Sequence, residues 1–269
     1  MTDRDEGQSV AVVYLARGQG AGYRESFERF RESYEAHPAG IAHQLYVIFK
    51  GYPTRSAREE AEQIFSGLAY SAIETEDLRY DIGAYADALP SVSEDIVCFL
   101  NTYSEIASRS WLRKLIDNLR SPGVGIVGAT GTYESLRTLN RGFPDFPNPH
   151  LRTNAMALRR RHAEEVFANY AIGTKLDTFF IESGVDSLTQ RVLSLGLTCL
   201  IVGADGRGYA PDHWPQSGTY RLGSQENLLV HDNYTREFLT LTPDERLTVA
   251  AASWGGSVPP SVVEVDTLR

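Results

Sequence analysis

Six polar stretches in this 269-residue chain carry side chains able to do chemistry. In Tyr80-Asp81-Ile82-Gly83 a carboxylate stands two residues before a glycine. Asp81 can accept hydrogen bonds from a base or ribose while Gly83 permits close approach, or Asp81 can cap a helix starting at Ile82. Asn101-Thr102-Tyr103-Ser104-Glu105 follows an apolar run directly. Asn101 and Ser104 offer hydrogen bonds to a diphosphate and Glu105 could reach a cation; alternatively, Ser104 caps the next helix. Gly128 to Ser135 is a run of small residues and hydroxyls that suits a sugar or phosphate, or is a plain turn. Arg152 and Asn154 alternate with apolar residues. One strand face would then hold a guanidinium and an amide, fit for phosphate or sugar hydroxyls or for a surface ion pair. Glu182 precedes a helical pattern and could act as a general base on a hydroxyl, with Asp186 as rival and as the more natural helix cap. Asp212-His213-Trp214 and His231-Asp232-Asn233 set a histidine beside an acid, for a metal, a diphosphate or mere exposure, and Trp214 could stack on a sugar ring.

Several chemistries are disfavoured. No GxxxxGK[ST] phosphate loop is present, and Arg17-Gly18-Gln19-Gly20 supplies only the first two glycines of a dinucleotide fingerprint. HExxH, GxSxG and zinc cysteine clusters are absent. A net charge of −9 without a basic stripe argues against nucleic acid as a partner. Cys98 and Cys199 lie in separate apolar runs, which reads as two buried thiols in a reducing compartment. The polar, acidic start MTDRDEGQSV is unlike a signal peptide, and no apolar stretch approaches the roughly 18 residues of a membrane span. A cytoplasmic location is expected, compatible with peripheral work beside a membrane.

Positioning those side chains requires a sheet. Apolar runs at Val10–Leu15, Gln44–Phe49, Tyr70–Ile73, Asp95–Leu100, Gly123–Gly128 and Thr198–Val202 read as strands. Helical patterns fall at Tyr23–Ala36, Ala57–Leu68, Trp111–Leu119, His162–Tyr170 and Asp186–Leu195. This alternation predicts an α/β fold with a mostly parallel central sheet flanked by helices, and ligands beyond the strand carboxyl ends. Residues 139–149 read as a surface loop, and 203–227 as an irregular lid or acceptor-facing segment. One domain is expected over 10–256, with a disordered segment over 1–9 and a tail over 257–269.

The order of these motifs, with DIGAY, NTYSE, GATGTYES, RTNAM, ESG and HDN spread over roughly residues 10–255, resembles bacterial glycosyltransferase-like proteins of the GT-A fold, with a layout similar to the rhamnan-synthesis type. The resemblance implies a nucleotide-sugar donor, a saccharide or other hydroxyl acceptor, an inverting mechanism and a role in polysaccharide biosynthesis. It places Ala16 and Arg17 at the nucleotide base and Asp81 and Gly83 at the nucleoside. Asn101, Thr102 and Ser104 fall where most members carry an Asp-x-Asp metal motif. Glu182 falls at the catalytic base, and His231 at a metal- or phosphate-binding histidine. The departure from Asp-x-Asp puts a divalent cation (Mn or Mg) in question: Glu105 and His231 could hold one, or Arg152 and backbone amides could hold the diphosphate. It also leaves open a non-catalytic binding or scaffold domain. A nucleotidyltransferase on a similar sheet is a weaker third reading, because the loop after the first strand is only thinly glycine-rich.

Overall fold

A computed structural model describes residues 7–256 apart from Ala21 and Leu78. The expected tail, and residues 1–6 of the expected disordered segment, lie outside the described residues. The strands are β1 (Val10–Arg17), β2 (Gln44–Lys50), β3 (Ser71–Glu74), β4 (Ile96–Leu100), β5 (Glu105–Ile106), β6 (Val124–Gly128), β7 (Gly131–Thr132), β8 (His150–Leu151), β9 (Ala155–Arg159), β10 (Thr198–Val202), β11 (Gly208–Tyr209) and β12 (Val230–His231). The helices are α1 (Tyr23–Ala36), α2 (Arg55–Ile64), α3 (Tyr80–Ala88), α4 (Trp111–Leu119), α5 (Arg160–Phe167), α6 (Lys175–Ser183), α7 (Leu188–Ser194), α8 (Asn233–Thr240) and α9 (Pro243–Trp254).

Eight strands form one sheet in the order β11-β10-β6-β9-β4-β1-β2-β3. The pairs β1–β2, β2–β3, β1–β4 and β6–β10 are parallel, while β9 runs antiparallel between β4 and β6. The mostly parallel α/β layout expected from the strand–helix alternation is therefore present. Its central strands are buried on both faces, which is why they read as continuous apolar runs. Val10, Val12, Tyr14 and Ala16 of β1 face one core layer, with Phe27 and Phe30 of α1 and Trp111 and Leu115 of α4. Ala11, Val13 and Leu15 face the other, with Ile82 and Tyr85 of α3, Val166 of α5 and Val192 of α7. The period-two alternation of a strand divides the core in this way.

Cys98 and Cys199 are free, buried thiols on β4 and β10, as read from their apolar settings. Trp214 is fully buried and its indole N–H donates to Tyr209 O at 3.0 Å, so it is a core residue rather than a stacking platform. No helix among the described residues is long and apolar enough to cross a membrane.

Candidate functional site

The carboxyl ends of β1, β2 and β4 meet at one edge of the sheet. Because β9 is reversed, the turn that precedes it arrives at the same edge. Two clefts open there. The first, of about 540 Å³, is lined by Gly18, Gln19, Gly20, Gly51, Tyr52, Pro53 and Asp77. The second, of about 300 Å³, includes Arg152, Glu182, His150, Tyr220, Tyr234 and Phe179 in its lining.

Beside the first cleft, Arg17 pairs with Asp77 at 3.2 Å. Lys50 is wholly buried; its ammonium donates to Tyr80 O at 2.6 Å and lies 3.6 Å from Asp77. Burial lowers the Lys50 pKa, against the opposing pull of Asp77 and Asp81. Asp81 sits in the first turn of α3 and is not its cap. Burial raises its pKa, Arg17 and Lys50 oppose the rise, and the negative charge of Glu182 adds to it. Glu182 and Asp81 therefore share one electrostatic environment although they are about 100 residues apart in sequence. Gly83 is required by its own helix: a Cβ there would fall 2.1 Å from Arg79 Cβ. Ala16 offers its carbonyl to the Tyr52 hydroxyl at 3.0 Å. Lys50 ends an apolar strand and gave no motif; only its place at a strand's carboxyl end could have marked it.

The loop after β4 is tied down by its own side chains. Asn101 Oδ1 accepts from Tyr103 N and Ser104 Oγ at 3.0 and 3.1 Å. Thr102 Oγ1 donates to Leu15 O at 2.9 Å, and Ser104 Oγ also lies 3.0 Å from Asn154 O. Both hydroxyls are buried, and Ser104 leads into strand β5 rather than capping a helix. Glu105 and His231 are cross-strand partners in the β5–β12 pair, so the structure brings these two together. Glu105 bonds Arg236 at 3.1 Å, and burial lowers the His231 pKa.

In the second cleft Glu182 lies in the last turn of α6, with α7 following it as its spacing suggested. Its carboxylate accepts from Thr153 N and Thr153 Oγ1 at 3.4 and 3.3 Å. Burial raises its pKa against the lowering effect of Arg152. Arg152 pairs with Asp232 at 2.9 Å and lies over the rings of Tyr220 and Tyr234, at 4.5 and 5.1 Å. Arg152 and Asn154 do not share a strand face, because the chain turns between β8 and β9. Asn154 faces inward instead: Thr130 Oγ1 donates to its Oδ1 at 2.7 Å. Asp186 stands outside this lining, paired with Arg191 at 2.6 Å, and Ser187 rather than Asp186 caps α7.

The residues expected to hold a divalent cation do not fit one. Asn101 Oδ1 accepts from Tyr103 N, Glu105 is bonded to a guanidinium, and His231 Nδ1 lies 3.3 Å from Thr235 Oγ1. Among the described residues no group of three or more His, Cys, Asp or Glu side chains could hold a metal ion.

No family model matches the chain, and no curated protein does. Among solved structures, it is similar to glucosyl-3-phosphoglycerate synthase from Mycobacterium tuberculosis, in complex with Mn²⁺, uridine diphosphate and phosphoglyceric acid, at 15% identity and a TM-score of 0.39. That match covers 59% of this chain and 58% of the synthase, so little more than half of the synthase is represented. It is also similar to 4-diphosphocytidyl-2C-methyl-D-erythritol synthase from Anaerococcus prevotii, at 11% identity and a TM-score of 0.46 over 67% of this chain and 84% of that one. Mouse xyloside xylosyltransferase 1 overlaps with 10% identity and a TM-score of 0.42, covering 68% and 79%. These likenesses are distant, and the fold described above rests on the sheet order of the chain itself.

Proposed function

We propose that this chain is a glycosyltransferase of the GT-A type, transferring a sugar from a nucleotide-sugar donor to a hydroxyl acceptor with inversion. The observation that carries the reading is the lining of the second cleft, where the Glu182 carboxylate stands with Arg152 and the rings of Tyr220 and Tyr234. The first cleft, with Arg17 and Asp77 at its side, suits a nucleoside. The aromatic second cleft suits an acceptor sugar, whose apolar face packs on rings while its hydroxyls meet charged groups.

In this reading Glu182 takes the proton of the acceptor hydroxyl. The acceptor oxygen bonds to the anomeric carbon as the bond from that carbon to the diphosphate breaks. A carboxyl with a raised pKa is the stronger base, and Thr153 orients it. Asp186 is the weaker candidate, since its bonds to Arg191 hold its pKa below the usual carboxylate range. The donor set after β4 does not fit a metal ion. A role in polysaccharide biosynthesis accords with the motif order.

The self-bonded loop Asn101–Glu105 favours a second reading, a donor-binding or scaffold domain without turnover. A screen of nucleotide sugars by thermal shift, followed by product analysis with mono- and disaccharide acceptors, separates the two. Stabilisation by one donor, with an inverted product lost in Glu182→Gln, supports the transferase. Stabilisation without product supports the second reading, and product with retained configuration removes the inverting assignment.

A further inference from the structure

A guanidinium occupies the place after β4 where the family resemblance leads one to expect acids around a cation. Arg236 of α8 donates from one nitrogen, Nη1, to Tyr103 O and to Glu105 Oε2, each at 3.1 Å. A fixed positive charge here repels a divalent cation and attracts an anion. The pair is accessible: 28% of the Arg236 side chain and 33% of Glu105 are exposed. Glu105 is thus a counter-ion that a stronger anion can displace. The loop also borders the first cleft, since a Cβ on Gly20 would lie 3.9 Å from the Tyr103 hydroxyl. On the far side Tyr14 OH donates to Thr102 O at 2.8 Å, and Arg29 and Arg236 both act electrostatically on that phenol.

We propose that Arg236 is a metal-independent binding residue for a diphosphate group at the loop after β4, beside the first cleft, with Glu105 as its resting counter-ion. A guanidinium presents a planar fork of donors matched to phosphate oxygens. Binding exchanges one carboxylate for a more highly charged ligand, and Glu105 turns to solvent. The proposal rests on the nucleotide-sugar reading for the identity of the diphosphate, while the anion site itself can be tested without it.

The test is calorimetric titration of the whole protein with inorganic pyrophosphate and with uridine, guanosine, adenosine and cytidine diphosphates. Each titration is run in EDTA and in MnCl₂. The expected result is binding of pyrophosphate and of at least one nucleotide in EDTA, with no tightening in Mn²⁺, which itself chelates these ligands. Glu105→Gln, which frees Arg236 from its counter-ion, should tighten pyrophosphate about three- to tenfold, the opposite of what loss of a metal ligand would do. Arg236→Gln should weaken it about tenfold or more, and Arg236→Lys should recover part of that loss. Binding that Mn²⁺ tightens tenfold, weaker binding in Glu105→Gln, or no pyrophosphate binding overturns the proposal. The Mn²⁺ comparison and Glu105→Gln keep it open to refutation if Arg236→Gln fails to fold. If pyrophosphate follows the expected pattern and no nucleotide binds, the anion site stands and the nucleotide-sugar reading falls.

Discussion

Arg152 Nη1 lies 2.9 Å from Asp232 Oδ2, with 10% of the arginine side chain exposed and none of the aspartate. The same aspartate caps α8 by accepting from Thr235 N at 2.8 Å, so one carboxylate fixes both a cleft cation and a helix start. Asp232→Asn keeps a capping oxygen and leaves Arg152 buried without its counter-charge. The expected cost is about 3–5 kcal/mol in urea unfolding. A loss below about 1 kcal/mol would show that the pair is dispensable.

Glu182 should make stability depend on pH in the direction opposite to a salt-bridged acid. Its folded pKa is raised, so the folded state holds the proton more tightly than the unfolded chain. Stability then falls as pH rises from the ordinary glutamate value through the raised one, and stays lower above it. Glu182→Gln removes this penalty. We expect the variant to be at least as stable as the parent at pH 7, with activity reduced about 10²- to 10⁴-fold. Melting curves at pH 4, 5.5 and 7 check the first half, and a variant clearly less stable at pH 7 contradicts it.

His150 supplies a separate acid-side effect. Burial lowers its pKa from the ordinary 6.5 to about 4, with the ring nitrogen Nδ1 2.8 Å from Asn148 O. The unfolded chain takes up this proton first as pH falls. The stability that the neutral ring contributes is therefore intact above about 6.5 and is lost progressively down to about 4, with a total of about 3 kcal/mol. His150→Gln should flatten the slope of unfolding free energy between pH 6.5 and 4. An unchanged slope would assign the acid sensitivity to other groups.

Gly18→Ala tests the first cleft by shape alone. A Cβ there would stand 2.4 Å from the Tyr52 ring, and the ring is held by its hydroxyl bond to Ala16 O. Tyr52 must move, at a cost of about 1–3 kcal/mol. Because Tyr52 lines the cleft, nucleotide affinity should drop about tenfold. Wild-type affinity in a folded Gly18→Ala protein would take the ligand out of this cleft.

Much of this architecture is legible in local patterns. The buried runs at Val10, Gln44, Asp95, Gly123 and Thr198 announce strands because both faces of each are covered. The amphipathic spacing of Trp111, Leu112, Leu115, Ile116 and Leu119 announces α4. Three helices are absent from the apolar periodicity although each carries a start signal: Thr174 with Asp177 for α6, Asp232 with Thr235 for α8, and Thr242-Pro243 with Glu245 for α9. The pairing of β9 between β4 and β6 is non-local and leaves no trace in spacing, so alternation alone sets Arg152 and Asn154 on one strand face. Arg236 was invisible for the same reason. Its partners Tyr103 and Glu105 are about 130 residues away, and only the β5–β12 pairing brings them together.

The reversed strand β9 is entered from a long excursion of the chain. The segment before it, from Thr132 to His150, leaves and re-enters through the two-residue pair β7–β8, and it contributes Glu134, Leu136 and Leu139 to the wall of the second cleft. Within the excursion Asn148 Nδ2 donates to Ser183 O at 2.7 Å and Phe143 stacks on Phe180 of α6. A change in its length would therefore reshape the cleft wall and shift Glu182 together, while β1, β2 and β4, with which it does not pair, keep their register.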